Sequence, residues 1–331
     1  SMARLCEDRV AIVTGAARGV GKENALLLAK CGAKVLVNDL GGAVDGTGAD
    51  RTPAQEVADE IIAAGGEAAV NGDDVSSWDG AKAMIEDGLF EQFPCDVIFG
   101  MHNRPNLEVG KFAVRPGPMM ASLDCFDIVV EGLGAHGALP HQGVDPVHAA
   151  AQVITALQSI VSRNVDPLQA AVISVTKIHG GDAHNIIPGQ VLLGGGIRCF
   201  DPKMRELLKS RVVEIVEGIC SGLGARGTVT FVSGYPAVSN GLDAVGLAAG
   251  VAADIVGVRN VDAESDPVLG SEDFAFMLEE KPGCYIFIGN GAGDGTCMIH
   301  NPGYDFNDDV VTLGATYWVR LAQSFLRDPI G

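Results

Sequence analysis

Two histidines stand in sequence contexts that suit metal ligands. His102 follows the apolar run Val97–Gly100, so we expect it at the end of a strand, and His300 lies in a loop segment, Met298–Pro302. Neutral imidazole is the commonest metal ligand among protein side chains. Two histidines so far apart in sequence do not define a site, and they become candidates only through the motifs around them.

A glycine-rich segment near the start suits a nucleotide. Gly15, Gly19 and Gly21 lie between an apolar run typical of a strand and a predicted helix. Glycines there permit a tight turn and a close approach of the backbone to a pyrophosphate, while the helix N-terminus supplies N–H donors. Asp39 ends the next predicted strand, where a carboxylate accepts hydrogen bonds from ribose hydroxyls and disfavours a 2′-phosphate. The combination favours a dinucleotide site over a chance turn.

This opening resembles the short-chain dehydrogenases, and the hydroxyacyl-CoA dehydrogenases among them, over about residues 3–86. The resemblance implies NAD as cofactor and places Asp74 against the adenine. The Tyr-x-x-x-Lys pair of that family is missing, because none of the four tyrosines is followed four residues later by lysine. Without that acid/base pair, hydride transfer to a carbonyl has no proton relay.

Four further motifs occur in order along the rest of the chain. They are Gly134–His141, Asn185–Pro188, Gly270–Phe274 and His300–Pro302. Over about residues 80–326 the chain resembles the amidohydrolases of the M20 peptidase family, which cleave N-acyl amino acids. That chemistry uses two Zn²⁺ or Mn²⁺ ions to activate a bridging water.

The M20 resemblance implies a role for five residues. It assigns His102 and His300 as metal ligands. It assigns His136, Asn185 and Arg198 to binding the substrate carboxylate or polarising the substrate carbonyl.

The chain departs from the M20 pattern at the metal site. The C-G-H-D-G-H ligand loop has no counterpart, and Val75 and Ser76 stand where the family has a Glu-Glu pair that supplies the base and a ligand. Two of five ligands would remain, whereas zinc sites usually have three or four protein ligands. The sequence therefore predicts an incomplete metal site with weak or no activity.

Composition and charge limit the partners. A formal net charge of −19 excludes nucleic acid as a predicted partner, because phosphate backbones need a basic footprint. It is compatible with divalent cations, although a solvated acidic surface is the favoured explanation. The eight cysteines are scattered, which is typical of reduced thiols. The polar start and the lack of a long apolar stretch predict a cytoplasmic protein without a membrane partner.

The order of predicted elements indicates an α/β fold with an insertion. Residues 1–75 predict a Rossmann-like βαβαβ start, and the stretch from Ser122 predicts the βαββαβ order of a ferredoxin-like α+β dimerisation domain. We therefore expect a dinucleotide-binding segment at 1–79, an M20-type catalytic α/β portion at 80–117 and 235–331, and an inserted lid or dimerisation domain at 118–234. Residues 76–87 suit either family as a helix, which suggests a crossover there.

Three functions follow as hypotheses. The first is an M20-type amidohydrolase acting on a small N-acyl amino acid, with a lost or weakened metal site and a homodimeric assembly. The second is an NAD-dependent oxidoreductase. The third is a non-catalytic, NAD-binding dimer.

Overall fold

The computed structural model describes most of the chain and divides it into two compact units. The described residues are 6–7, 9–39, 52–72, 80–232, 234–291, 298–299, 301, 304 and 306–328. Unit 1 contains residues 1–119, 239–266 and 273–331, and unit 2 contains residues 120–238 and 267–272. Unit 2 thus starts near the predicted boundary at 118 and ends beyond the predicted 234. The three-part division remains a prediction.

Unit 1 begins with the alternation that the sequence predicts. Its elements are β1 (Val10–Thr14), α1 (Gly19–Lys30), β2 (Lys34–Asn38), α2 (Thr52–Ala63) and β3 (Glu67–Asn71). The strands form a parallel sheet in the order β1-β2-β3. Val35 and Val37 of β2 are buried with Val57 and Ile61 of α2. Alternate residues of a strand share one face, as do residues four apart in a helix, so these side chains point into one core.

The next elements of the chain lead to unit 2. They are α3 (Gly80–Glu86), α4 (Leu89–Gln92), β4 (Ile98–Pro105), β5 (Phe112–Ala113) and β6 (Gly117–Met120). His102 lies inside β4, so the prediction that it ends a strand is wrong. The strand continues past the apolar run because residues up to Pro105 pair with a later strand.

Unit 2 is an antiparallel sheet covered by two helices. Its elements are β7 (Ser122–Glu131), β8 (Ala135–His136), α5 (Pro146–Asn164), β9 (Ala171–His179), β10 (Ile186–Ile187), β11 (Gln190–Cys199), α6 (Pro202–Gly222) and β12 (Arg226–Val232), with a 3-10 turn at Pro140–Gln142. The sheet order is β12-β7-β11-β9, all antiparallel. Apart from the short β8 and β10, this is the predicted βαββαβ order. Alternate residues of β7 and β11 pack against α5 and α6.

The chain then returns to unit 1. Its last elements are β13 (Val238–Asn240), α7 (Leu242–Val256), β14 (Val261–Asp262), α8 (Phe274–Glu280), β15 (Gly283–Gly291) and α9 (Val311–Arg327), with 3-10 turns at Val258–Asn260 and Asp308–Val310. A four-stranded sheet has the order β14-β5-β15-β4. Side chains of α7, α9 and β15 share one core. None of the described helices is long and apolar enough to cross a membrane.

A buried ion pair joins α6 to β7 in unit 2. The Asp124 carboxylate, 3% exposed, accepts from Arg205 Nε at 2.5 Å and Nη2 at 2.8 Å. These hydrogen bonds raise the pKa of Arg205 above its ordinary value. Lys209 Nζ lies 4.0 Å from the same carboxylate. Lys209 also has Glu206 at 3.7 Å, so Arg205 is the cation that depends on Asp124. Removing this anion leaves a partly buried guanidinium uncompensated.

We predict that Asp124→Ala lowers the free energy of unfolding by about 3–5 kcal/mol, the range for breaking a buried pair. The matched control on the same strand is Asp127→Ala, whose carboxylate is 55% exposed and pairs with Lys177 at 3.1 Å. An exposed pair contributes about 0–1 kcal/mol. Urea denaturation of the two variants measures the difference, and similar losses from both would contradict the assignment of Asp124.

Candidate functional site

His102 is held in β4 with one ring nitrogen directed at the backbone. The strand pairs in parallel with β15, which sets His102 beside Phe287. The Nδ1 atom of His102 lies 2.6 Å from the carbonyl oxygen of Asn103. With the proton on Nδ1, the Nε2 atom keeps its lone pair, and a histidine held in this way by a backbone carbonyl can bind a metal. The ring is half-buried, and its centroid is 6.5 Å from that of Tyr285.

The residues after His102 contact the segment on either side of His300. The side-chain amide of Asn103 donates to the hydroxyl of Tyr304. The amide of Asn106 lies 3.3 Å from the sulfur of Met298. His300 itself is outside the described residues, as is Asp74. The described neighbours of His300 in sequence therefore meet the end of β4.

Of the two histidines that the resemblance assigns to the metal, only His102 lies among the described residues. Those residues contain no group of three or more His, Cys, Asp or Glu side chains that could hold a metal ion. His102 supplies one nitrogen, Nε2, because its Nδ1 lies 2.6 Å from the Asn103 carbonyl oxygen. Zinc sites usually need three or four protein ligands.

His136 and Asn185 are brought together in unit 2. The short strands β8 and β10 pair so that Ile186 stands opposite His136. The Gly137 N–H donates to the carbonyl oxygen of Asn185 at 2.8 Å. A Cβ on Gly137 would lie 3.2 Å from that oxygen, so the close approach favours glycine.

Both side chains at this β8–β10 pair are exposed and can bind a polar group. The Nδ1 atom of His136 accepts from the Ala138 N–H at 3.0 Å, which leaves the proton of the neutral ring on Nε2 as a donor. The side-chain amide of Asn185 has no hydrogen-bond partner within the described residues and offers both a donor and an acceptor. The pair can bind a carbonyl or carboxylate oxygen.

Arg198 lies at the other end of unit 2. It is eight residues along β11 from Gln190, the end that adjoins β10, or about 27 Å at about 3.4 Å per residue. Its Nη1 atom donates to the carbonyl oxygen of Leu269 at 2.7 Å and lies 3.4 Å from Ser271 Oγ. Within unit 2, one small molecule cannot contact both Arg198 and His136. The substrate role of Arg198 stays a prediction.

The glycine-rich turn has the geometry that its sequence predicts. Gly15 has φ +63°, in the left-handed region that favours glycine. Gly19 is the first residue of α1. A Cβ on Gly21 would lie 2.0 Å from the Gly15 carbonyl oxygen, so α1 packs directly on the turn. Close packing of helix and strand is the role of the third glycine in a dinucleotide-binding turn.

Asp39 faces the same turn. One of its carboxylate oxygens accepts from the Ala17 N–H at 2.8 Å. The carboxylate therefore lies at the end of β1 and β2, beside the glycine-rich turn. In this structure it orders the loop, a role that the sequence did not predict.

Sequence reasoning missed two sets of contacts around the candidate residues. The first is Asn103 with Tyr304, and the second is Arg198 with Leu269 and Ser271. Each contact involves a residue in or next to one of the ordered motifs: Tyr304 follows His300–Pro302, and Ser271 lies in Gly270–Phe274. The partner atoms were not predictable, because they are backbone carbonyls or residues many positions away.

Comparisons with known proteins identify the family. The model of peptidase family M20/M25/M40 matches residues 63–324, so it begins earlier than the expected start at about residue 80. The hippurate hydrolase of Campylobacter jejuni is 40% identical over 248 residues, which cover 75% of this chain and 64% of that protein. An N-acetylcysteine deacetylase of Bacillus subtilis is 38% identical over 73% of this chain and 62% of its own length. The chain thus spans less than two thirds of these relatives.

Solved structures agree with this match. A Bacillus subtilis dinuclear metal binding peptidase from the M20 family has a TM-score of 0.64 and 27% identity, covering 83% of this chain and 71% of its own. An aminohydrolase from Staphylococcus aureus has a TM-score of 0.69 at 23% identity, covering 88% and 82%, and shows the same fold. None of these comparisons points to a dehydrogenase for the opening segment. The chain belongs to peptidase family M20/M25/M40.

Proposed function

We propose that this chain is an M20-type amidohydrolase relative that binds small N-acyl amino acids and hydrolyses them weakly or not at all. The pairing of β8 with β10 carries the binding part of the proposal, because it places His136 beside Asn185. The names of the relatives support the ligand class: one is a hippurate hydrolase and another an N-acetylcysteine deacetylase.

Binding is assigned to the exposed donors of unit 2. The Nε2–H of His136 and the side-chain amide of Asn185 can donate to the carboxylate or amide carbonyl of the ligand. Hydrogen bonds to a charged group contribute about 1.5–3 kcal/mol each. Arg198 instead binds the segment from Leu269 to Ser271, so this part of the proposal rests on His136 and Asn185.

The weakness of the proposed hydrolysis follows from an incomplete set of metal ligands and the missing base. His102 and His300 are the proposed ligands for Zn²⁺ or Mn²⁺, and the contacts of Asn103 and Asn106 with Tyr304 and Met298 support their acting together. In the sequence, Val75 and Ser76 stand where the resemblance expects a base and a further ligand. A valine cannot take a proton from water, and an ordinary serine is a poor base.

A second candidate function is NAD binding by the opening βαβαβ segment, as in short-chain dehydrogenases. The close packing of Gly21 on Gly15 and the position of Asp39 beside the turn favour it. Because the Tyr-x-x-x-Lys pair is missing, the proposal covers binding of the dinucleotide and no hydride transfer. Asp74 is the proposed contact of the adenine.

We further propose a homodimer formed through unit 2. The outer strand β9 pairs on one side with β11, and no described strand pairs with its other side, where a second chain can add. Ile178 on this strand is 58% exposed. Unpaired strand edges are templates for pairing with another chain.

We predict that the purified chain binds hippurate but releases benzoate at least about a thousandfold more slowly than ordinary enzymes, which turn over about 1–1000 times per second. Added Zn²⁺ or Mn²⁺ does not restore ordinary rates. His136→Ala weakens binding about tenfold, which corresponds to the loss of one charged hydrogen bond. Calorimetry measures binding, and chromatography measures benzoate.

The matched control is His141→Ala, which removes an exposed histidine five residues away and leaves binding unchanged. The proposal of a weak metal site would be refuted if the chain turned over rapidly and if a chelator and His102→Ala each abolished that turnover. Equal affinities of His136→Ala and the wild type would refute the binding assignment.

We predict that the opening segment binds NADH more tightly than NADPH, because the Asp39 carboxylate repels a 2′-phosphate. Asp39→Asn narrows the preference by about tenfold or more, since facing like charges cost up to several kcal/mol. This variant removes the charge while keeping an oxygen that can accept from Ala17. Fluorescence titration measures both affinities, and equal or tighter binding of NADPH to the wild type would overturn the assignment.

We predict a mass of twice 34.2 kDa by light scattering at micromolar concentration. Ile178→Lys shifts the chain towards the monomer, because it places a charge on the proposed strand edge. Leu168→Lys is the control, since Leu168 is 94% exposed and lies outside the strand. A monomeric wild type would contradict the proposal.

A further inference from the structure

Two cysteines far apart in sequence meet where α1 ends. The Cys6 N–H donates to the carbonyl oxygen of Cys31 at 2.7 Å. The next residue, Gly32, has φ +98°, and a Cβ there would lie 3.2 Å from Glu7 Cα. The backbone around Cys6 is therefore packed directly on the turn that follows α1. Of the described cysteines, only this pair is joined by a backbone hydrogen bond.

The two side chains also share one environment. Cys6 is 7% exposed and belongs to the core between the opening sheet and its helices, and Cys31 is half-buried and packs against the same core. With the Cys6 nitrogen 2.7 Å from the Cys31 carbonyl oxygen, standard bond lengths limit the separation of the two Cα atoms to at most about 6.6 Å. Disulfides span Cα separations of about 4.4–6.8 Å. The backbone already has the separation that a disulfide needs.

We propose that Cys6 and Cys31 form a redox-sensitive dithiol that a low-molecular-weight disulfide, such as oxidised glutathione, converts to an intramolecular disulfide. The bond closes the segment that contains β1, the glycine-rich turn and α1. This role is independent of hydrolysis and of nucleotide binding.

The reaction balances as a two-step exchange. Cys31, the more exposed thiol, loses its proton and attacks one sulfur of the reagent, which releases one glutathione thiolate and leaves a mixed disulfide on Cys31. Cys6 then loses its proton and attacks the Cys31 sulfur, which releases the second glutathione. Two protein thiols are oxidised and one glutathione disulfide is reduced to two thiols.

The environment makes the second step slow at neutral pH. Burial raises the pKa of the Cys6 thiol, and Arg9 lowers it in part. The further rise caused by a charged Cys31 thiolate ends once that sulfur is in the mixed disulfide. Only the thiolate is the nucleophile. Closure of the disulfide therefore accelerates as the pH rises towards and beyond the ordinary range of a thiol.

The test is peptide mapping of the native, full-length protein after incubation with oxidised glutathione. The expected product lacks two alkylatable thiols and yields one disulfide-linked peptide pair containing Cys6 and Cys31. In Cys6→Ser, the mixed disulfide accumulates on Cys31, because the resolving thiol is missing. Cys95→Ser is the matched control and leaves the linked pair unchanged.

Two outcomes would overturn the proposal. One is a wild-type chain that keeps both thiols, or carries glutathione on Cys31 without the linked pair, at neutral and alkaline pH. The other is a linked pair that forms only after denaturation. Circular dichroism of Cys6→Ser before oxidation verifies that this variant is folded, and Cys31→Ser provides a second variant that cannot form the bond.

Discussion

The pairing of β15 with its neighbours is the constraint on which the position of His102 depends. This strand is buried along almost its whole length, in parallel with β4 and antiparallel to β5. The side chain of Asn240 fixes it further, because its Oδ1 accepts from the Tyr285 N–H at 2.7 Å and its amide donates to the Tyr285 carbonyl oxygen at 3.0 Å. A slip of one residue would turn every side chain of β4 to the opposite face.

In unit 2, the register of β11 sets the positions of the candidate substrate-binding residues. It places the β8–β10 pair, with His136 and Asn185, beyond one end of the strand and Arg198 near the other. The buried pair of Asp124 and Arg205 holds α6 on this sheet. Residues that the family resemblance groups as one substrate-binding set are therefore divided, within this unit, between two locations with different partners.

The opening segment combines a nucleotide-binding pattern with a chain of the M20 family. Gly15 has a left-handed φ and Gly21 packs closely on it, as a tight strand-to-helix turn requires whatever the segment binds. The same segment contains the Cys6–Cys31 contact, which depends on the packing of the turn after α1 on the chain before β1. The geometry of the turn explains how this segment folds, and it does so independently of any ligand.

The sequence alone determined the element order, because apolar periodicity and glycine positions are local. From Ser122 onward, the predicted βαββαβ order is the observed one apart from the short β8 and β10. The ordered motifs also identified the family. Tertiary structure decided what each candidate side chain contacts. Asp39 bonds to Ala17, and Arg198 to Leu269, through backbone groups that every residue type carries and that no motif can therefore mark. It also placed His102 inside β4, since strand length depends on the pairing partner and not on the apolar run alone.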